Sequence, residues 1–243
     1  AVRDRIFSEK TGLPPEYLER APELQHHLLG AAVAMKEGRG EDAIRLQVAA
    51  RDLAAALGLK DVTVIARVAL ASYLAGLGHR AAALVELDGA VTLAERSGLG
   101  LQEAQARLAR GLLLALERRY PEAAREYAEC ARRAEAAGVP LLAIEGWRLA
   151  AQIGLQLGVE PQAVACLREA IRVAEDSSPD VVALSSAAEA TRKLASVCAA
   201  KGMSAQAESL YAQADAMEAG EVGRGEPHAG PPPPRPPPPE VSP

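Results

Sequence analysis

The sequence predicts an all-α chain, a solenoid of about five helical hairpins, and three observations carry that expectation. Its 243 residues are 49% hydrophobic but only 3% aromatic, with one Phe and one Trp. A core of that composition has to come from helices in close contact through small side chains, not from large rings. Small residues recur at intervals of 40 at Ala43, Ala83, Ala123 and Ala163, and again after 44 at Ala207. Helix breakers stand between the periodic stretches at Gly38, Gly78, Gly158 and Gly202, with Arg118 in the same column.

Taken in order, residues 1–21 predict a short helix that caps the first hairpin through Phe7, Leu13, Tyr17 and Leu18, since the exposed end of a stacked array needs covering. Residues 22–219 hold the hairpins, each a helix A followed by a helix B. The stretch RRYPEAAREYAECARRAEAAG, residues 118–138, shows why they must pack closely. Ala123, Tyr127, Cys130 and Ala134 share one stripe of a helix, small beside large. Four residues after each anchor stand Gln47, Leu87, Tyr127, Leu167 and Tyr211, mostly bulky, and three further on Ala50, Ala90, Cys130, Ala170 and Ala214, all small. Twelve residues before the anchors come Ala31, Ala71, Gly111, Ala151 and Ala195. Pro121 and Pro161 suit the first turn of a helix B. The four extra residues before the last anchor fall within EDSSPDVVALSS and predict a fifth helix A longer by about one turn, opened by Ser178-Pro179. The last helix, SAQAESLYAQADAMEAG, is more polar and closes the array. From 220 to 243 the Pro-rich run lacks apolar periodicity and predicts a disordered polyproline II tail, either a ligand for an SH3-like module or a spacer.

The columns resemble the tetratricopeptide repeat (TPR), with its signature W-x2-L-G-x2-Y followed by A-x3-F. The match is clearest in WRLAAQIGLQLGVEPQAVACLREA, where Trp147, Ala151, Ala163, Leu167 and Ala170 fall on signature positions. Arg67 and Arg107 occupy the tryptophan column in two other repeats. The resemblance covers residues 22 to about 219, and the long period is similar to the subtype of kinesin light chain and of bacterial adaptors and regulators.

What the resemblance implies is a right-handed α-α superhelix whose A helices line a concave, peptide-binding groove. Its inward columns are then Gln25, Ile65, Gln105, Glu145 and Glu189; next Leu28, Val68, Leu108, Arg148 and Arg192; and then Ala32, Ser72, Leu112, Gln152 and Ser196. The first three repeats offer an apolar floor, and the last two offer charged and amide groups. The expected function is a non-enzymatic adaptor or chaperone-like scaffold that binds an extended or helical segment of another protein. A regulatory sensor of a peptide or small ligand, and a structural assembly subunit, remain alternatives. Self-association, or residues 1–21, could also cover the apolar half. Arg148 and Arg192 are similar to the basic residues with which some TPR proteins clamp a peptide carboxylate, but Glu145 and Glu189 lie three residues before each and could pair with them instead.

Composition narrows the other classes. A net charge of −5 and a pI near 5.5 argue against nucleic acid as a partner. Cys130, Cys166 and Cys198 lie within apolar patterns without CxxC spacing, as expected of reduced, buried thiols. The opening AVRDRIFSEKTGLPP is charged, and no apolar run approaches a membrane span, so the chain is expected to be soluble and cytoplasmic. The lack of Asn and the excess of Arg over Lys point to a GC-rich, bacterial genome. His26 and His27 diverge by about 100° on a helix, and Glu23 with His27 supplies only two ligands, so no metal is expected. GLGLQEA, residues 98–104, lacks the third glycine and the preceding strand of a phosphate loop and reads as a turn between repeats. Glu122, Glu126 and Glu129 among Arg125, Arg132 and Arg133 read as a solvated face. No catalytic constellation emerges, and neither enzyme activity nor a cofactor is expected.

Overall fold

The computed structural model describes residues 22–176 and 181–219. The predicted N-terminal cap, the Ser178-Pro179 helix start and the Pro-rich tail lie outside the described residues. Those described form ten helices and no strand, so the all-α solenoid is what the chain adopts. They are α1 (Pro22–Lys36), α2 (Gly40–Ala56), α3 (Lys60–Gly76), α4 (Arg80–Ser97), α5 (Gly100–Leu116), α6 (Tyr120–Ala136), α7 (Pro140–Gln156), α8 (Glu160–Asp176), α9 (Val181–Ala200) and α10 (Ser204–Glu218). Odd-numbered helices are the A helices of five hairpins. At 20 residues, α9 is the longest, as the four extra residues predict.

One junction joins almost every pair of helices. After α1 the amide of Gly38 donates to the carbonyl of Met35 at 3.1 Å and that of Arg39 to Ala34 at 2.8 Å, the paired bonds of a Schellman cap. Arg39 then accepts from Ala43 and so begins α2. The same pattern recurs at 57–59, 77–79, 97–99, 117–119, 137–139 and 157–159, every twenty residues. Its middle residue must be left-handed, and Gly58 at φ 72° and Gly98 at 67° supply that between hairpins as Gly38 and Gly78 do within them. Arg118 takes the same conformation at φ 61° with a side chain that disfavours it. No N-cap side chain assists in these turns.

Each B helix packs on its own A helix and on the A helix of the next hairpin. In addition α3 touches α5 and α7 touches α9, while no comparable contact joins successive B helices. The A helices therefore line the inside of the curve. Ala43, Ala83, Ala123 and Ala163 are all fully buried, with Tyr127 and Leu167 filling the spaces beside them. Three glycines set the distances. A Cβ on Gly111 would stand 2.6 Å from the Tyr127 ring, one on Gly146 2.8 Å from the Tyr127 carbonyl oxygen, and one on Gly154 3.0 Å from the Ala163 Cβ. At the end of the array Tyr211, in the bulky column, is 41% exposed because no sixth hairpin follows among the described residues.

Two outcomes follow from this geometry. Arg118→Gly removes the Cβ that clashes in a left-handed backbone conformation and should stabilise the chain by about 1 kcal/mol, a rise in Tm of roughly 2–4 °C for a domain of this size. Gly146→Leu, pressed against the backbone of α6, should instead cost about 2–3 kcal/mol. Thermal and urea denaturation followed by circular dichroism checks both.

Candidate functional site

The A helices are held at their spacing by the tryptophan column, and there the chain uses two chemistries. In the fourth hairpin Trp147 is buried, with the Arg132 guanidinium 5.8 Å over its ring and Cys166 nineteen residues on. In the second and third hairpins the column holds Arg67 and Arg107, and nineteen residues on stand Glu86 and Glu126. Arg67 donates to Glu86 at 2.7 Å, and Arg51 of α2 reaches the other oxygen of the same carboxylate. Arg107 donates to Glu103 at 2.8 Å, and its two terminal nitrogens reach Glu95 of α4 and Glu126 of α6. Glu103 also stands 3.1 Å from Arg133, and Glu126 accepts from Arg110, which bonds Asp88 at 2.8 Å. Glu103 and Arg107 are both buried. The acidic residues of α6 are thus not all on a solvated face: Glu126 is drawn inward by two arginines, which corrects the sequence reading. The signal that could have found this was the Arg–Glu pair repeated at the same 19-residue interval in adjacent repeats.

On the inner face, the predicted columns divide. Leu28 is buried with Leu24, Ala50, Ala54 and Val62, so it is core and not groove floor, and Ile65 packs half-buried against that cluster. Gln25 is half-buried and Gln105 exposed. Val68 and Leu108 are half-buried, each packed against two core clusters. Ser72 and Leu112 are exposed, and the Ser72 hydroxyl donates to the Val68 carbonyl. They line a cavity of about 150 Å³ between α3 and α5 whose rim is Leu116, a residue outside the predicted columns. Leu112 is 46% and Leu116 66% exposed, one turn apart. The apolar part of the groove is therefore narrower than three repeats and lies one turn nearer the C-terminal ends of the A helices. The i, i+4 step from Leu112 was the available clue.

The polar part is closed by ion pairs. Arg148 donates to Glu145 at 2.9 Å and to Glu189 of the next A helix at 2.6 Å. Arg192 does not use Glu189; it holds Asp215 at 2.9 Å and also Glu218, both on α10. Those two carboxylates raise the Arg192 guanidinium above its ordinary range. Lys193 above all, with Arg148, keeps the Glu189 carboxyl below the usual range. Both arginines are thus occupied, and the site is a lattice of ion pairs, not an open carboxylate clamp. Gln152 and Ser196 are exposed beside it, with the Ser196 hydroxyl turned back to the Lys193 carbonyl.

Elsewhere the chemistry is quiet. Burial pushes the Cys130 thiol up to about 12, so it is a packing residue with almost no thiolate at neutral pH. His27 lies 3.7 Å from Glu23, and the His26 and His27 rings stand 6.0 Å apart at an interplanar angle of 59°. No group of three His, Cys, Asp or Glu among the described residues is placed to hold a metal ion. No helix among them is long and apolar enough to cross a membrane.

No protein-family model matches the chain, and no curated protein matches it. Solved structures do share its fold. BtubC (BKLC) from P. vanneervenii superposes with a TM-score of 0.63 at 16% identity, over 99% of this chain and 96% of that one. The apo form of RapI gives 0.55 at 9% identity, over 82% and 84%. MamA gives 0.51 at 14%, over 79% and 95%. The fold is TPR-like.

Removing one partner from the buried ionic column should be far costlier than exchanging the whole column. Arg107→Ala is expected to lose about 3–5 kcal/mol because Glu103 is left without its nearest cation. Glu103→Ala/Arg107→Trp/Glu126→Cys, which installs the residues found forty positions later at Ala143, Trp147 and Cys166, should lose much less. Urea titration of the two variants makes the comparison.

Proposed function

We propose that this chain is a protein-binding scaffold, an adaptor or chaperone-like module of the longer-repeat TPR subtype, that holds a segment of a partner protein along its A helices. The observation that carries the reading is the exposed pair Leu112 and Leu116 lining a cavity of about 150 Å³. Isolated exposed leucines are ordinary on a surface. Two in line, one turn apart and over a hollow, suit the anchor side chains of an amphipathic helix or an extended peptide. Further along, the exposed Gln105, Gln152 and Ser196 offer polar groups for the rest of the segment. The pairing of Arg148 and Arg192 with carboxylates of this chain favours apolar anchoring over a clamp on the partner's terminal carboxylate. The reading includes a cytoplasmic, bacterial setting, with residues 1–21 as a cap and the tail from 220 as a spacer or ligand.

The test uses a photo-crosslinking amino acid placed at Leu112 or, as control, at Val85, which is 67% exposed on the outer side of α4. In the native cell, adducts with one partner protein are expected from position 112 and not from 85. Adding Leu116→Glu should abolish them while moving Tm by less than about 2 °C, since exposed positions seldom exceed about 0.5 kcal/mol. Equal adducts from both positions would refute the groove, and adducts only with another copy of the chain would replace it with self-association.

A further inference from the structure

Successive B helices stand apart on the outer side, and an A helix floors each furrow between them. The furrow between α4 and α6 is filled by charge: Asp88, Arg110 and Glu126 bond across it, leaving about 280 Å³. Forty residues later these three positions are Ala128, Ala150 and Cys166, and Leu84 and Leu114 of the first furrow become Ala124 and Gly154. With the same helix arrangement and every one of these side chains cut back, the furrow between α6 and α8 opens to about 480 Å³ with a largely apolar lining. That volume lies within the range of small-molecule sites.

Its mouth is basic. Arg125 and Arg132 are seven residues apart on α6, two turns along one face, and both line the cavity. Arg132 pairs with Glu129, which Arg133 also reaches while standing 3.1 Å from Glu103. Among the described residues Arg125 makes no ion pair, although Glu122 is near enough to feel its charge. An apolar hollow with surplus positive charge at its rim is complementary to a molecule with an apolar body and one anionic end. A guanidinium grips a carboxylate through charge-assisted hydrogen bonds, and the alanine and glycine floor receives the chain.

We propose that the α6–α8 furrow is a binding site for a small organic anion with an apolar body, of the class of medium-chain carboxylates. A ligand seated there touches α6, α7 and α8 together, and so contacts two hairpins at once.

Cys166 lines the cavity and reports on it, because Cys130 and Cys198 are buried. The full chain is alkylated with N-ethylmaleimide while octanoate is titrated in, and modification of Cys166 is followed by peptide mass spectrometry. Saturable protection is expected, at least tenfold weaker for octanol and for octanoate acting on Arg125→Ala/Arg132→Ala. Calorimetry should detect no octanoate binding to Ala128→Asp/Ala150→Arg/Cys166→Glu, which rebuilds the charged furrow found one repeat earlier. Absence of saturable protection, equal protection by octanol, or protection unchanged by the two arginine substitutions overturns the proposal. Protection that grows with protein concentration and without ligand also overturns it, since a second copy then fills the furrow.

Discussion

Everything in this molecule depends on how near two helix backbones come where Gly111, Gly146 and Gly154 face α6 and α8. With a Cβ at Gly146 the distance to the Tyr127 carbonyl oxygen would be 2.8 Å, well inside contact, so no larger residue keeps α7 where it is. Close approach is what lets a chain with so few aromatic rings bury a continuous core. Dispersion energy falls off steeply with separation, and alanine columns gain it only when the axes are close. The angle between hairpins, the curvature of the inner face and the depth of the outer furrows all inherit that distance.

The tryptophan column shows the same backbone tolerating opposite chemistries. Trp147 fills its site by volume, whereas Arg67 and Arg107 fill theirs by reach, each guanidinium finding a carboxylate on the neighbouring B helix. Ionic filling is directional. Arg107 spans α4, α5 and α6 through Glu95, Glu103 and Glu126, so it fixes the relative rotation of two hairpins where a ring would fix only their separation. The furrow outside follows suit, bridged by charge beside Arg107 and hollow beside Trp147.

The hairpins and their buried stripe were legible because burial in a stacked array imposes a period on small residues, and Ala123, Tyr127, Cys130 and Ala134 are all buried as that period requires. Part of the turn grammar was missed. The sequence placed Gly98 in a turn between repeats but not Gly58 or Gly138, and all three adopt the same left-handed turn as Gly38 and Gly78, so the elementary period is twenty residues, hidden because the small-residue columns distinguish A from B and the turns do not. At the groove, sequence placed Ser72 and Leu112 on an exposed inner surface but put Leu28 there too. Leu28 shares its column with Leu108, and its burial comes from packing on Ala50 and Ala54 of α2 and Val62 of α3, which the column alone does not show. Arg192 was paired on paper with the nearest acid along its own helix. In space Asp215 and Glu218 are nearer, because α10 is the helix packed against α9.

The nearest-neighbour packing also determines how the molecule opens. Among the described residues every substantial helix contact joins adjacent hairpins or nearby A helices, so each hairpin is held by its neighbours. Opening of such an array should begin at its outer hairpins and travel inward as a zipper that the ionic knot around Arg107 halts. Amide protons in α5 and α6 should then exchange slowest among the described helices, and those of α10, where Tyr211 is exposed, fastest.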